Sequence, residues 1–140
     1  HLVNISSVFG LIGVPTQSAY NAAKFAVRGY TEALRQEMAG SNVHVCCVHP
    51  GGIKTNIARA ARSSDTKTSA DERAEAFDKA AGTPAVDAAK QIVDAIEQRR
   101  PRLLIGKDAL VISLITRLFP VRYPRLMEIL VKASSALHRS

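Results

Sequence analysis

Three polar side chains near the start of the sequence have the types and spacing of an acid–base site. Tyr20 and Lys24 are four positions apart, so a helix places both on one face, one turn apart. A lysine ammonium stabilises a nearby phenolate, and Ser7, thirteen positions before the tyrosine, can offer a hydroxyl to a substrate oxygen. These residues predict chemistry on a carbonyl or an alcohol.

The elements that must position these side chains follow from the apolar pattern. The short apolar run His1–Ser6 predicts a buried strand, and Ser7–Gln17, with two glycines and a proline, predicts a loop. Ala19–Met38 repeats apolar residues at helical spacing, with Ser18 as the expected N-cap. Tyr20 is therefore expected at the carboxyl end of a strand, where open α/β sheets bind ligands.

The remaining elements continue this alternation of strands and helices. In order they are a strand at Val43–His49, a long loop over Ile53–Gly82 with a helix near Asp71–Ala81, a helix from Thr83-Pro84 to about Gln98, a strand at Arg102–Ile105, and apolar helices near Ala109–Phe119 and Arg125–Leu137. Alternating buried strands and helices favour a parallel sheet with right-handed crossovers. Three strands make a small sheet, so the sequence predicts the later half of a doubly wound α/β fold, with a partial domain at 1–106 and a helical extension at 107–140.

Three motifs stand in this predicted framework. They are Asn4-Ile5-Ser6-Ser7 at a strand end, Tyr20-Asn21-Ala22-Ala23-Lys24 on the next helix, and Pro50-Gly51-Gly52-Ile53-Lys54-Thr55 after the following strand. In this order and spacing they resemble the short-chain dehydrogenase/reductase family. The resemblance implies a Rossmann-type fold and an oxidoreductase that transfers hydride between NAD or NADP and an alcohol/carbonyl pair.

The resemblance also implies roles for single residues. In that family a serine of the Ser7 type stabilises the substrate oxygen, and a tyrosine of the Tyr20 type exchanges its proton. A lysine of the Lys24 type binds the nicotinamide ribose and favours the ionised tyrosine. The implied cofactor-binding residues are Tyr20, Lys24, Pro50, Gly51, Ile53 and Thr55.

Side chains between the serine and the tyrosine are candidates for the substrate pocket. Phe9 and Gln17 are expected to contact substrate together with Ser7 and Tyr20, and the apolar residues Val8, Leu11 and Ile12 would suit an apolar ketone or alcohol. Ordinary packing within the loop is the equally favoured alternative for each of these loop residues. Ser6 is the weaker serine candidate because adjacent strand residues face opposite ways. Asn4 is expected to tie the strand end to a neighbouring loop.

One part of such a site is missing from the sequence. None of the eight glycines forms the G-x-G-x-x-G turn that holds a dinucleotide pyrophosphate at a helix N-terminus. The residue that selects NAD or NADP is missing as well. We therefore expect a piece of a longer enzyme, which alone neither binds a dinucleotide nor turns over substrate.

Two other functions compete with hydride transfer. Sugar-nucleotide epimerases and dehydratases share the Ser, Tyr and Lys in this fold, but residues 107–140 are too short for their larger C-terminal substrate domain. A non-catalytic association module is the second alternative, with the helix of Tyr20 and the terminal helices as its dimer surface. Under the leading hypothesis we expect a homo-oligomer.

The net charge of +7 resides in the C-terminal segment. Residues 1–98 carry ten basic and ten acidic side chains, whereas residues 99–140 carry nine basic and two acidic ones among apolar residues. This pattern favours a subunit-interface or substrate-lid extension, with peripheral attachment to an anionic membrane as the alternative. Nucleic-acid binding is not expected, because no aromatic stacking platform accompanies the charge.

The cysteines and histidines bear on compartment and metal binding. Cys46 and Cys47 are adjacent in a predicted strand and would point to opposite faces, which favours buried structural thiols over a disulfide. Such thiols are typical of a reducing compartment, so we expect a cytoplasmic protein. His44 and His49 are expected to be structural, and no cluster has the spacing of metal ligands.

Overall fold

The computed structural model describes residues 1–57 and 69–129. Among these residues the strands are β1 (Leu2–Ile5), β2 (Val45–Pro50), β3 (Ile53–Lys54), β4 (Thr83–Pro84) and β5 (Arg102–Ile105). The helices are α1 (Ser18–Glu37), α2 (Ala70–Ala80), α3 (Ala85–Glu97) and α4 (Lys107–Leu118), and a short 3₁₀ turn covers Val8–Gly10.

Strands β1, β2 and β5 form a parallel sheet in that order. Val3 is level with Cys46, and Val48 is level with Leu103. Residues 45–49 are all buried, because β2 has a strand on each side and contacts α1 and α3. The predicted α/β fold with three parallel strands is confirmed, and β5 has the predicted bounds.

Helix α1 connects β1 to β2 and begins one residue earlier than predicted. Gln17 occupies the N-cap position and makes no side-chain capping bond, so the expectation of Ser18 as N-cap is wrong. Thr16 has a φ of 66°, in the left-handed region, and this residue turns the chain. Ser18 is therefore already the first residue of the helix and does not occupy the N-cap position that serine prefers. The helix ends at Glu37, within one residue of the predicted end.

Asn4 links β1 to helix α1. Its Nδ2 donates to Thr31 Oγ1 at 3.0 Å, and that hydroxyl donates to the Val27 carbonyl at 2.6 Å. Thr31 is fully buried, so this pair satisfies polar atoms inside the molecule. The expected loop partner for Asn4 is therefore wrong, and the helix provides the partner instead.

Strands β3 and β4 pair in a second parallel sheet that the sequence pattern did not predict. Ile53 is level with Thr83, and Lys54 is level with Pro84. Thr83 precedes a proline, and this disfavours helical backbone at the threonine, so a strand forms where the helix was expected to start. Pro84 is the N-cap of α3 rather than a residue of its first turn.

Helix α2 begins with a reciprocal capping box. Ser69 Oγ accepts from the Glu72 N–H at 3.1 Å, and the Glu72 carboxylate accepts from the Ser69 N–H at 2.8 Å. This confirms the helix predicted near Asp71–Ala81, displaced by one residue. Residues 58–68 of the predicted loop lie outside the described residues.

The C-terminal segment follows β5 through Gly106, whose φ is 98°. Helix α4 confirms the first predicted apolar helix and starts two residues earlier, and residues 123–129 are helical again. The second predicted helix, Arg125–Leu137, extends beyond residue 129 and is described only in part. In the ranges 1–57 and 69–129, no helix has both the length and the apolar character needed to cross a bilayer.

The buried apolar residues form two clusters. One joins β2 and β5 to α3 and contains Cys46, Val48, Ala88, Ala95, Leu103 and Ile105. The other joins the loop after β1 to α4 and contains Val8, Leu11, Ile12, Ala109 and Ile112. Helix α4 therefore packs directly against the loop that carries Ser7. Both cysteines are free, and burial raises the pKa of each thiol, as expected for structural thiols.

Candidate active site

The segments that follow β1, β2 and β5 lie at the carboxyl edge of the sheet. Ser7 follows β1, Gly51 follows β2 and Gly106 follows β5. Because these strands are parallel neighbours, their carboxyl ends lie side by side. The Ser6 N–H donates to the Val48 carbonyl at 2.8 Å, which continues the pairing of β1 and β2 up to the site.

Ser7 caps the 3₁₀ turn that follows β1. Its Oγ accepts from the Phe9 N–H at 3.1 Å, and its backbone is fully extended. The side chain is half-buried, and within the described residues no protein acceptor takes its hydroxyl hydrogen. The orientation of Oγ is thus fixed by one bond, while the hydrogen can still be donated to another molecule.

Tyr20 and Lys24 lie together on the first turns of α1. The Lys24 Nζ is 5.5 Å from the centroid of the Tyr20 ring, within the range of a cation–π contact. The same Nζ donates to the Ile5 carbonyl at 3.1 Å, which holds the ammonium at the end of β1. The Tyr20 side chain is 39% exposed, so the phenol is accessible from outside.

Phe9 connects the serine to the tyrosine. Its backbone N–H is bonded to Ser7 Oγ, and its ring meets the Tyr20 ring edge-to-face at 5.8 Å between centroids. Gln17 is half-buried, and its side chain makes no capping bond to the helix that it precedes. Phe9 thus lies beside Ser7 and Tyr20, and Gln17 immediately precedes the helix that carries Tyr20.

The other apolar residues of this loop are placed differently from the expected pocket lining. Val8, Leu11 and Ile12 are at least 93% buried and pack against Ala109 and Ile112 of α4. Their surface is already covered by the protein itself. The interpretation of these three residues as pocket lining is therefore wrong, because burial against α4 takes up their apolar surface.

Ser6 has a structural contact rather than an open hydroxyl. Its Oγ donates to the Lys24 backbone carbonyl at 2.8 Å, and the residue is buried. Gly10 lies against this bond, and a Cβ there would stand only 2.7 Å from the Lys24 carbonyl oxygen. Lys24 is therefore tied to the end of β1 through both its backbone and its ammonium.

Asn21 is a supporting residue for which sequence reasoning predicted no role. Its Nδ2 donates to the carbonyls of Phe9 at 2.9 Å and Ile12 at 2.7 Å, and its Oδ1 accepts from the Val14 N–H at 3.1 Å. One buried amide therefore satisfies three backbone groups of the loop between Ser7 and the helix. An asparagine in the first turn of the helix that follows a glycine- and proline-containing loop was the available signal.

His49, on the neighbouring strand β2, bonds the backbone of Ser7. The side chain is fully buried, and its Nδ1 lies 3.2 Å from the Ser7 carbonyl oxygen, so Nδ1 carries the hydrogen that this oxygen accepts. Its Nε2 has no partner within the described residues. Burial lowers the pKa of His49 to about 4, so the ring is neutral at physiological pH. The predicted structural role agrees with these contacts.

The turn after β2 is held by Asp108, which sequence reasoning also missed. The Gly51 N–H donates to the Ile105 carbonyl at 2.9 Å, and the Gly52 N–H donates to Asp108 Oδ2 at 2.8 Å. A Cβ on Gly51 or on Gly106 would collide with this carboxylate and displace it, and Gly106 also has a positive φ of 98°, which favours glycine. An acidic residue in the first turn of a helix after a strand was the signal.

The remaining predicted cofactor residues continue from this turn. Pro50 ends β2, Ile53 lies in β3, and Thr55 follows β3 with an exposed side chain. Thr55 Oγ1 accepts from the Ile57 N–H at 3.4 Å. The glycine turn after β2 and the Lys24 ammonium at the end of β1 thus lie at neighbouring strand ends.

Comparison with known sequences extends this result. A family model described as short chain dehydrogenase matches residues 1–66. SadH of Mycobacterium tuberculosis, which is named as an oxidoreductase, is 51% identical over 133 residues, covering 91% of this chain and 47% of SadH. Dehydrogenase/reductase SDR family member 7B of Rattus norvegicus is 37% identical over 107 residues, covering 75% of this chain and 31% of that protein.

Solved structures are similar over most of the chain. A short-chain dehydrogenase/reductase from Burkholderia phymatum, solved in complex with NAD, is 29% identical with a TM-score of 0.69, covering 84% of this chain and 46% of that one. A short-chain dehydrogenase from Streptomyces avermitilis is 27% identical with a TM-score of 0.61, covering 94% and 51%. The chain spans about half the length of these structures and of SadH. The fold, the motifs and these similarities together show that the chain belongs to the short-chain dehydrogenase/reductase family.

Proposed function

We propose that the complete protein carrying this chain is an NAD(P)-dependent oxidoreductase that interconverts an alcohol and a carbonyl compound. The observation that carries this proposal is the position of Lys24 Nζ, bonded to the Ile5 carbonyl and 5.5 Å from the Tyr20 ring. In that position the ammonium lies over the ring of Tyr20, so a cation and a phenol stand side by side on α1. A phenol that can lose and regain its proton is suited to general acid–base catalysis.

Tyr20 and Ser7 then have different roles at the substrate oxygen: Tyr20 transfers a proton, and Ser7 donates a hydrogen bond. In the direction of reduction, the Tyr20 hydroxyl gives its proton to the carbonyl oxygen while the carbonyl carbon accepts a hydride. The Ser7 hydroxyl donates a hydrogen bond to the same oxygen, and the Phe9 N–H keeps Ser7 Oγ in place. In the direction of oxidation, tyrosinate removes the proton from the alcohol.

The donor set fits the nicotinamide half of a dinucleotide. Lys24 offers a cation for ribose hydroxyls, Thr55 offers an exposed hydroxyl for the carboxamide, and Pro50 and Gly51 offer a surface for the ring. A bound NAD or NADP would supply or accept the hydride. The Burkholderia phymatum relative contains NAD, which supports this choice of cofactor.

We further propose that the 140-residue chain alone binds no dinucleotide tightly and is inactive. None of its glycines forms a phosphate-binding turn, so only part of the binding energy is available. Isothermal titration of the isolated chain with NADH and NADPH tests this point. Tight binding of either cofactor would contradict it, whereas failure of the hydride-transfer proposal would show only in the complete protein.

The function itself is tested by following a label. The complete protein is incubated with a panel of apolar ketones and with reduced nicotinamide carrying deuterium at the transferable position. We expect one equivalent of oxidised cofactor and deuterium on the carbinol carbon of the product. Product formation without net oxidation of the cofactor would instead support an epimerase or dehydratase.

Partners and location are proposed on separate grounds. We propose self-association of the complete protein through α1, because Phe25 and Tyr30 are exposed on this helix. Light scattering of the complete protein, with Phe25→Ser and Tyr30→Ser as variants, tests it, and a clean monomer would contradict it.

The free, buried cysteines Cys46 and Cys47 support a cytoplasmic location.

A further inference from the structure

Helix α4 is apolar on its outward face as well as on its inward face. Ala109 and Ile112 are buried, whereas Leu110, Leu114 and Leu118 are 57%, 59% and 61% exposed. At about 100° per residue these leucines fall within roughly 80° of one another around the helix axis. A surface helix ordinarily presents polar residues to water, so this outward apolar stripe is unusual.

The stripe continues past the end of the helix. Val121 is 86% exposed and Phe119 is 46% exposed. Both line a shallow cavity of about 290 Å³ together with Leu118, Pro120 and Arg122. The apolar surface therefore extends without a break from Leu110 to Val121.

Positive charge accompanies the stripe from Arg117 onward, whereas Asp108 lies beside its first residue, Leu110. Arg117 lies about 20° from Leu110 around the helix, and the side chains of Arg122 and Arg125 are exposed beyond the helix. No acidic residue occurs between Asp108 and Glu128 in the sequence. We name as the outer patch the apolar residues Leu110, Leu114, Leu118 and Val121 and the basic residues Arg117, Arg122 and Arg125.

Charge distinguishes a second copy of the chain from a lipid surface as the occupant of the outer patch. A two-fold contact with a second copy would bring Arg117, Arg122 and Arg125 of both copies together, and this repulsion opposes docking. A membrane with anionic lipids attracts the arginines, while its acyl boundary takes up the leucines. We propose that the outer patch docks peripherally on an anionic lipid bilayer.

Vesicle sedimentation of the complete protein tests this proposal. The probes are vesicles of phosphatidylcholine alone and of an equimolar mixture of phosphatidylcholine and phosphatidylserine. We expect binding to the mixed vesicles that weakens as salt is raised. Changing Arg117, Arg122 and Arg125 together to Gln should weaken the partition constant by about a hundredfold, at roughly fivefold for each charge.

Two further variants separate docking from folding. Leu110, Leu114 and Leu118 changed together to Ser should abolish binding, with an unchanged circular dichroism spectrum. The control changes Val86 and Val93, which are 65% and 52% exposed on α3, to Ser and should leave binding unchanged. Equal binding to both vesicle types would overturn the proposal. So would unaltered binding by the leucine variant, or a patch-dependent dimer that binds no vesicles.

Discussion

The loop after β1 and the turn after β2 lie at the same edge of the sheet, but different kinds of side chain hold them in place. The loop is supported by buried groups, the amide of Asn21 and the imidazole of His49. The turn is supported by one exposed carboxylate, that of Asp108, which the C-terminal segment supplies. The part of the site that carries Ser7 and Tyr20 is thus held by buried groups, and the proposed cofactor-binding turn is held by a surface group.

This difference sets an order of expected effects. A buried polar group that loses its partners destabilises the protein by its full desolvation penalty, whereas a group at the surface forms hydrogen bonds to water instead. Changes in the loop after β1 should therefore cost more than changes around Asp108. A change that acts on the substrate itself should have a larger effect than either.

Ser7→Ala should have the largest effect of the loop variants. Loss of one hydrogen-bond donor to a reacting oxygen costs about a hundredfold or more in turnover, or roughly 3 kcal/mol. The complete protein is assayed at saturating cofactor, with Ser41→Ala, in the turn that follows α1, as the control. Equal turnover by the two variants would show that Ser7 does not bond the reacting oxygen.

Asn21→Ala should have the next largest effect, on stability. The substitution leaves the Val14 N–H and the Phe9 and Ile12 carbonyls without a partner, so the free energy of unfolding should fall by about 3 kcal/mol. Urea denaturation measures the change, and the exposed Asn42→Ala is the matched control. A loss no greater than that of the control would show that the loop needs no internal support.

His49 should make stability depend on pH. Its folded-state pKa is lowered to about 4 from an ordinary value of 6.5, so between these values the unfolded chain binds a proton that the folded chain does not. Stability is therefore full above the ordinary value and decreases as pH falls toward the folded value. Near pH 5 the free energy of unfolding should be about 2 kcal/mol below that near pH 7.

The slope is the change in the free energy of unfolding with pH, and urea denaturation at both pH values measures it. His49→Gln should flatten it, whatever the effect of the substitution on absolute stability. Asn42→Ala, which removes no titratable group, should keep the slope. A His49→Gln variant with the full slope would assign the pH dependence to other groups.

Asp108→Ala should have the smallest effect, about 1 kcal/mol, because its bond to Gly52 is exposed. Gly51→Ala should break the same bond, since the new Cβ takes the place of the carboxylate. The two changes should therefore be non-additive, with Gly51→Ala costing little once Asp108 is Ala. Asp87→Ala, at the exposed start of α3, is the control. Full additivity of the two stability changes in thermal unfolding would show that Gly51 and Asp108 act independently.

The elements of the fold were predictable because each has a strong local signal. The strand Arg102–Ile105 is a short apolar run that ends at a glycine, and α1 repeats alanines at helical spacing. The β3–β4 pair escaped prediction because each strand has two residues, too few for any periodicity. The start of α1 was displaced because the left-handed backbone of Thr16 has no sequence signal of its own.

The candidate site was predictable only in its outward residues. Ser7, Tyr20 and Lys24 stand at recognisable spacing, whereas Asn21 and Asp108 act through contacts that depend on the tertiary fold. Asp108 lies 56 positions after Gly52, and no local pattern reports such a pairing. The fate of Val8, Leu11 and Ile12 depended likewise on where α4 packs.

The central claim is that Tyr20 exchanges the proton of the reaction. The most direct test compares Tyr20→Phe with Tyr30→Phe, because Tyr30 is a second exposed tyrosine on the same helix. In the complete protein, turnover by Tyr20→Phe should fall by about a thousandfold while the dissociation constant of the cofactor stays unchanged, and Tyr30→Phe should match the parent. Full turnover by Tyr20→Phe would contradict the account.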